Sequence, residues 1–258
     1  MKPDIPTEVQ TLLESYIKLL CREFGNAIYG VYIYGSLVTG CFNKTSSDID
    51  FMTVIRRNMD EDDLKRIQSI HKKLSSTNRY GNMLEGEYVN YGDIKGEMPC
   101  KQYPYFAFGK FRGFVNLKNF AWFQLRERGI TYYGADFKSI AGSTNWNKIR
   151  NELLDRINTY WPNMTNWKLI LDRWLALVVL SVCRIYFSLE NMSTTSKVEG
   201  GEYALLKLSE KWHPLISEAL RIQKNSSKKS LYKSKIKRLK EAKEFIKDMS
   251  ERYIVQFP

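Results

Sequence analysis

Two carboxylates open an otherwise apolar segment of the sequence. Asp48 and Asp50 are two residues apart at the start of Ile49–Ile55, whose β-branched and aromatic residues predict a strand. Because side chains alternate along a strand, both carboxylates are expected on the same face. Neighbouring carboxylates repel each other unless a cation lies between them, and Mg²⁺ is the usual cation of a site built from carboxylates and substrate phosphates. The spacing therefore predicts a pair of magnesium ligands.

A segment suited to phosphate binding precedes this pair. The run Ile28–Tyr34 predicts another strand, and Gly35 and Ser36 follow it directly. A glycine turn after a strand offers backbone N–H groups, and the serine adds a hydroxyl, so the two residues can bind a phosphate. The alternative is a simple turn with a solvated acidic end, which leaves two carboxylates at the start of an apolar strand unexplained.

Two further carboxylates lie on a third predicted strand, Met83–Val89. Glu85 and Glu87 alternate onto one face of it. A strand paired beside the Asp-x-Asp strand, in antiparallel or mixed fashion, would bring a third carboxylate to the metal. The alternative is a solvent-facing edge strand that carries two acidic residues.

Amphipathic helices are predicted around these strands. Thr7–Glu23 and Asp60–Leu74 have apolar residues at helical spacing, and Leu117–Arg128 predicts a third helix. His71 lies among lysines in the second helix and is predicted to be a surface residue. Residues 95–115 are rich in proline, glycine and aromatic residues and are predicted to form an irregular loop.

The second half of the chain carries a helical pattern and no strand pattern. The predicted helices are Trp146–Tyr160, Trp167–Leu189, Ser193–Lys211, Pro214–Gln223 and Lys228–Arg252. Helices that share apolar faces pack as a bundle. The predicted fold is therefore an α/β (α+β) domain with a small mixed sheet, residues 1–142, followed by an all-α helical bundle, residues 143–258.

The charge is strongly positive and uneven. The net charge is +12, and residues 221–247 hold eleven Lys or Arg against two Glu. This excess indicates affinity for a polyanion, which includes nucleotides and nucleic acids. No RNA-binding motif is visible, so RNA binding through the basic C-terminal helix is kept only as an alternative.

The composition excludes several other classes. The four cysteines are scattered and form no zinc spacing with the two histidines, so we expect free thiols in a reducing compartment. No secretory signal pattern is present, and the longest apolar run, Trp174–Cys183, is too short to span a bilayer. We therefore expect a cytoplasmic monomer or weak dimer with no membrane partner.

The spacing of Gly35-Ser36 and Asp48-Ile49-Asp50 resembles the signature of the DNA polymerase β-like nucleotidyltransferase superfamily. In its aminoglycoside-adenylylating members, a Leu-Glu pair opens a β run and its glutamate is the proposed base. Leu84-Glu85 matches that pair, so the resemblance favours Glu85 over Glu87 as the base. It also implies two Mg²⁺ ions held by Asp48 and Asp50, and ATP as the co-substrate.

The helical half resembles streptomycin/spectinomycin adenylyltransferases. The matching segments are Leu180–Ile185, Thr195–Lys197 and Glu202–Leu205. The resemblance implies that Arg184 and Lys197 bind ATP. The alternatives are a salt bridge from Arg184 to a carboxylate such as Asp155 or Glu202, and an ordinary exposed lysine at position 197.

The resemblance implies transfer of AMP from ATP to a hydroxyl of a small acceptor. Gly35, Ser36 and Ser47 would position the phosphates, and Glu85 would take the acceptor proton. The expected acceptor is an aminoglycoside or aminocyclitol antibiotic, with Glu87 and Asp172 as its candidate ligands. A polycationic acceptor fits poorly with the net charge, so a lincosamide-like or unrelated acceptor, an RNA-directed transferase, and a non-catalytic nucleotide sensor remain alternatives.

Overall fold

Six strands of the described chain form one mixed sheet in the first half of the sequence. They are β1 (Ile28–Tyr34), β2 (Ile49–Ile55), β3 (Leu84–Asn90), β4 (Gln102–Ala107), β5 (Lys110–Asn116) and β6 (Ile130–Gly134), in the spatial order β5-β4-β3-β2-β1-β6. The β2–β3 pair is parallel and the other neighbours are antiparallel. The predicted small mixed sheet is confirmed.

The chain divides into two units, Met1–Asn145 and Trp146–Pro258. The structure, a computed structural model, describes residues 5–44, 47–96, 98, 101–164, 167–226 and 229–256. We call Met1–Asn145 the sheet unit and Trp146–Pro258 the helical unit. The predicted boundary after residue 142 lies close to this division.

Each face of the sheet is covered by helices. Helices α1 (Thr7–Phe24) and α2 (Glu61–Thr77) bury their apolar residues against one face, which contributes Ile33 and Phe51 to that core. Helix α3 (Asn119–Arg128) packs with the opposite face. The central strands β1 and β2 are therefore buried on both sides, which explains why they are nearly continuous apolar runs.

The prediction of an irregular loop for residues 95–115 is wrong over the part that the structure describes. Strands β4 and β5 form a hairpin there, joined at Phe108 and Gly109, which have φ angles of 53° and 70°. Left-handed residues at a two-residue turn match the twist of paired strands. Pro104 inside β4 obscured the strand pattern. Residues 97, 99 and 100 of the predicted loop, and hence the Cys100 thiol, lie outside the described residues.

The prediction that His71 is a surface residue is wrong. Its side chain is fully buried, stacks on Phe106 with ring centroids 4.7 Å apart, and places Nε2 2.8 Å from the Tyr88 hydroxyl. Burial lowers the pKa of His71 to about 3, so the ring is neutral at physiological pH. His71 is four residues after the buried Ile67 and three before the buried Leu74, so it lies on the inner face although its neighbouring lysines face outward.

The helical unit is all-α over the residues that the structure describes, as predicted. Its helices are α4 (Trp146–Asp155), α5 (Asp172–Asn191), α6 (Lys197–Lys207), α7 (His213–Gln223) and α8 (Lys235–Gln256). Helix α4 continues through a π-helical segment, Arg156–Tyr160, and a short turn, Trp161–Met164. Helix α5 contacts both α6 and α7, which places it at the centre of the bundle.

Helix α5 is the one helix in the described part of the chain that is long and apolar enough to cross a membrane, judged by length and composition alone. Most of its apolar window, 67%, is buried inside the protein. A central helix of a bundle is apolar on most sides for the same reason that a membrane helix is. The packing explains its composition without a membrane.

A buried carboxylate ties the basic C-terminal segment to the bundle. Glu218 on α7 is fully buried. Its donors are Arg221 Nε at 2.9 Å, Ser230 Oγ at 2.6 Å, the Leu231 amide at 3.1 Å and Arg238 Nη1 at 3.2 Å. Burial by itself would raise the pKa of Glu218, but these hydrogen bonds outweigh it and lower the pKa to about 2.

Glu218→Gln should lower the free energy of unfolding by about 3–5 kcal/mol, because a buried charge network loses its central acceptor. Since the folded pKa lies below the ordinary value of 4.5, this stabilisation is complete above pH 4.5 and is lost as the pH falls toward about 2. Chemical denaturation at neutral and acidic pH measures both effects. Glu251→Gln, which breaks an exposed pair with Lys247, is the matched control and should cost less than about 1 kcal/mol. Equal losses for the two variants would contradict this role of Glu218.

Candidate active site

Four carboxylates lie at one end of the sheet, on one face. Asp50 on β2 is the direct neighbour of Glu85 on the parallel strand β3, and Tyr34 at the end of β1 pairs with Asp50 on its other side. Asp48 lies just before β2, close enough for its charge to act on Glu85. Glu87 follows two residues after Glu85 on the same face. We call Asp48, Asp50, Glu85 and Glu87 the carboxylate cluster.

Burial and mutual repulsion shift the two glutamates of this cluster toward their neutral forms. Burial raises the pKa of Glu85, a hydrogen bond from Tyr105 lowers it in part, and the charge of Asp48 raises it again. Burial also raises the pKa of Glu87, to about 7, with Glu85 adding repulsion and Tyr34 donating a compensating hydrogen bond. Such a cluster favours a bound cation, because a cation relieves the repulsion.

The Gly35–Ser36 turn lies directly against the cluster. Gly35 has a φ of 73°, and a Cβ atom at this position would lie 1.9 Å from Asp50 Oδ2. Only glycine allows the chain to turn here while passing this close to a carboxylate. Ser36 Oγ donates to the Asp48 carbonyl at 3.3 Å, which links the turn to the start of β2. The structure thus brings Gly35 and Ser36 to the carboxylate pair.

Ser47, the third predicted phosphate ligand, closes the loop before β2. Its Oγ accepts a hydrogen bond from the Asn43 amide at 2.9 Å, and its own amide donates to the Asn43 carbonyl at 3.0 Å. Residues 45 and 46, between these partners, lie outside the described residues. The serine therefore holds the loop directly before Asp48.

Two tyrosines of the site were absent from the sequence-based prediction. Tyr105 donates a hydrogen bond to Glu85 Oε1, and Tyr34 donates to Glu87 Oε2 at 3.4 Å. Tyr105 lies on β4, inside the range that was predicted to be a loop, so its face could not be assigned. Tyr34 ends a predicted strand, and only the register with β2 places it beside Asp50.

The remaining predicted residues lie in the helical unit. Arg184 is half-buried on α5, and Lys197 is the first residue of α6, after the helix-capping Ser196. The two helices pack closely there, since a Cβ atom on Gly200 would lie 2.8 Å from the Arg184 Cα. Arg184 and Lys197 therefore belong to one packed pair of helices.

Asp155 and Glu202, the alternative salt-bridge partners of Arg184, each have another contact. Asp155 accepts a hydrogen bond from Thr159 Oγ1 at 2.5 Å, and Glu202 pairs with Lys224 at 2.6 Å. Both contacts lie within the helical unit.

Asp172, the predicted acceptor ligand of this unit, begins α5. Its carboxylate accepts a hydrogen bond from Arg238 Nη2 at 2.7 Å, while its side chain remains 49% exposed. Arg184 is twelve residues further along the same helix, about 18 Å at the rise of an α-helix. The structure therefore places Asp172 and Arg184 far apart along one helix.

The cluster fits magnesium by its chemistry. Carboxylate oxygens are hard donors, and Mg²⁺ commonly takes one or two of them while water and substrate phosphates supply the rest. Among the described residues, no group of three or more His, Cys, Asp or Glu side chains converges enough to hold a metal ion by itself. Asp48 and Asp50 therefore suit a metal that binds together with a phosphorylated substrate.

Two family models match the sequence, one in each unit. A nucleotidyltransferase domain matches residues 13–79, which contain β1, β2 and the predicted metal ligands. The C-terminal domain of aminoglycoside adenylyltransferases matches residues 152–252. The chain matches the aminoglycoside adenylyltransferase family over its helical unit and the nucleotidyltransferase domain over part of its sheet unit. The predicted family, and the nucleotidyltransferase activity that goes with it, are confirmed.

The same fold is found in a solved member of this family. The chain is similar to the spectinomycin adenyltransferase AAD(9) from Enterococcus faecialis, whose crystal structure contains ATP and spectinomycin. The TM-score is 0.72 at 13% sequence identity, and the match covers 92% of this chain and 99% of the other. At this identity the likeness shows the shared fold of the adenylyltransferases. A search of curated proteins gives no match.

Proposed function

We propose that this adenylyltransferase transfers AMP from ATP to a hydroxyl of a spectinomycin-type aminocyclitol or an aminoglycoside, in a reaction that depends on magnesium. The observation that carries the proposal is the register of β2 and β3, which sets Asp50 directly beside Glu85. A metal-binding carboxylate and a general base must lie this close to act on the same reacting oxygen. The acceptor class follows from the family match in the helical unit and from the AAD(9) complex.

Asp48 and Asp50 would hold Mg²⁺, for which we propose two ions, and the bound metal would neutralise phosphate charge as it builds up during transfer. Gly35, Ser36 and Ser47 bind the phosphates. Their loop precedes β2 directly and already contacts the Asp48 carbonyl. These residues would offer hydroxyl and backbone N–H donors to the triphosphate.

Glu85 takes the proton of the acceptor hydroxyl. The hydroxyl oxygen then forms its bond to the α-phosphorus of ATP, and the bond from that phosphorus to the pyrophosphate oxygen breaks. Glu87, on the same face, would accept hydrogen bonds from an ammonium or hydroxyl group of the acceptor. Asp172 is the second candidate ligand for the acceptor, since half of its side chain remains exposed.

The basic character of the chain does not oppose a cationic acceptor at this cluster. Electrostatic attraction depends on the local field of the site more than on the net charge. The carboxylate cluster brings four acids together at two neighbouring strands of the sheet unit, and this local concentration of acids suits an ammonium group.

The test is pyrophosphate release with ATP, Mg²⁺ and a panel of acceptors. We expect release with spectinomycin or an aminoglycoside, and none with a lincosamide or with an RNA oligonucleotide. Omitting Mg²⁺, or adding a chelator, should stop the reaction. Release with RNA alone would instead support a nucleic-acid-directed transferase that uses the basic segment.

An ATP co-substrate suits a cytoplasmic enzyme, which we propose acts as a monomer or weak dimer.

Arg184 and Lys197 are proposed to bind the triphosphate from the helical unit. Arg184→Ala should weaken ATP affinity by about 10- to 100-fold, because a hydrogen bond to a charged group is worth about 1.5–3 kcal/mol. Calorimetry with a non-hydrolysable ATP analogue measures it. Arg173→Ala removes an exposed arginine from the same helix and should leave the affinity unchanged. An Arg184→Ala variant with normal ATP affinity would remove this residue from the nucleotide site.

If both units hold the nucleotide, ATP should also raise the affinity for the acceptor. The same titration, repeated with acceptor in the presence and absence of the analogue, measures this coupling. Arg184→Ala should reduce it together with ATP affinity.

A further inference from the structure

Tyr105 reaches across the sheet to Glu85 although another acid lies directly opposite it. The cross-strand partner of Tyr105 is Glu87, yet the Tyr105 hydroxyl donates its hydrogen bond diagonally to Glu85 Oε1. Diagonal neighbours on adjacent strands are within reach of an aromatic side chain. The contact therefore selects one of two neighbouring carboxylates.

This hydrogen bond constrains a carboxylate that would otherwise turn away from its neighbours. Glu85 lies beside Asp50 and feels the charge of Asp48, so repulsion favours rotamers that point elsewhere. A phenol donor on Oε1 opposes that rotation and leaves Oε2 available to accept a proton. Catalytic side chains lose rate steeply when their geometry is loosened.

We propose that Tyr105 is a positioning residue, which fixes the Glu85 carboxylate so that Oε2 receives the proton of the acceptor hydroxyl. This inference rests on the proposed function, in which Glu85 is the base. Tyr105 itself exchanges no proton in the step. The proton passes from the acceptor oxygen to Glu85 as that oxygen bonds to phosphorus and pyrophosphate leaves.

The surroundings of the two glutamates explain why Glu85, and not Glu87, is the carboxylate that is fixed beside Asp50. The hydroxyl of Tyr34 lies 3.4 Å from Glu87 Oε2, at the long end of hydrogen-bond distances. On β2 the neighbour of Glu87 is Met52, whereas the neighbour of Glu85 is Asp50. Of the two glutamates, Glu85 is therefore the one held firmly beside Asp50.

The same strand provides a matched control. Tyr103 lies two residues earlier on the same face of β4 and donates its hydroxyl to Asp93 Oδ2 at 2.9 Å, away from the carboxylate cluster. Tyr103→Phe and Tyr105→Phe each remove one hydroxyl from one tyrosine–carboxylate hydrogen bond. Differences between the two variants therefore report on Glu85 and not on the loss of a phenol from this strand.

Steady-state kinetics of both variants tests the proposal. Tyr105→Phe should lower kcat by about 10- to 100-fold, while KM for ATP changes by less than about twofold, because the nucleotide contacts are untouched. Tyr103→Phe should leave both parameters at wild-type values, and both variants should keep the wild-type melting temperature within about 4 °C. A Tyr105→Phe variant with wild-type kcat overturns the proposal.

A double-mutant cycle separates positioning from a general structural effect. In a Glu85→Gln background, adding Tyr105→Phe should lower kcat no further, because the hydroxyl acts only through the carboxylate. An additional loss as large as in the wild-type background would overturn positioning. If Glu85→Gln alone kept wild-type kcat, the base assignment in the proposed function would fail first, so the two failures are distinguishable.

Discussion

Asp50→Asn should abolish turnover while leaving the fold intact, and Asp48→Asn should do the same. A carboxamide has nearly the shape of a carboxylate but carries no charge, so it binds Mg²⁺ far more weakly. Metal ions supply several kcal/mol of charge stabilisation in phosphoryl transfer, which corresponds to a loss of about 10³-fold or more in kcat. Pyrophosphate release at saturating ATP and acceptor measures the loss.

The stability of these variants distinguishes a catalytic role from a structural one. In the free protein, Asp48 and Asp50 lie among like charges, so removing one charge relieves repulsion. The melting temperature of Asp50→Asn without metal should therefore equal or exceed that of the wild type. Functional sites often keep residues that cost stability in this way.

Asp62→Asn is the control for this pair. Asp62 lies on the exposed surface of α2, paired with Lys65 at 2.9 Å, and its loss should change neither activity nor stability noticeably. Retention of more than about a tenth of wild-type activity in Asp50→Asn, equivalent to about 1.4 kcal/mol of barrier, would remove it from the metal site.

The sequence was sufficient for the parts of the site that depend on local order. Side-chain alternation predicts strands β1 and β2 and places Asp48 and Asp50 on one face, and glycine conformation explains the turn at Gly35. Both effects act within a few residues. The helical half was equally readable, because 3.6-residue periodicity persists over long segments.

Relations between strands could not be obtained in this way. The pairing of Asp50 with Glu85 depends on a parallel register across a helix-containing connection, and nothing in either strand specifies its partner. Tyr105 was missed for the same reason, since a proline-containing strand is recognisable only once its hairpin partner is known. His71 was also assigned wrongly. The exposed lysines beside it suggested the outer face of α2, although His71 lies on the buried face.

The two glutamates of β3 have side chains on the same face of the strand but differ in their surroundings. Glu85 lies beside Asp50 and accepts the Tyr105 hydrogen bond, whereas Glu87 lies two residues further along β3, beside Met52. A proton acceptor must lie within hydrogen-bond reach of the hydroxyl that attacks the α-phosphorus of ATP. Glu85 satisfies this condition through its neighbour Asp50.

Glu85→Gln should therefore lower kcat by about 10²- to 10⁴-fold, the usual scale for loss of a general base, while ATP affinity stays close to wild type. Glu87→Gln should act mainly on KM for the acceptor, because its pKa of about 7 already leaves it partly neutral and an amide keeps its hydrogen-bonding shape. Each variant is the matched control of the other, since both change one half-buried glutamate on one strand. Single-turnover rates with ATP and spectinomycin separate the two. If Glu87→Gln were the inactive variant and Glu85→Gln the mild one, the base would be Glu87, and the Tyr34 hydroxyl would be the contact that holds it.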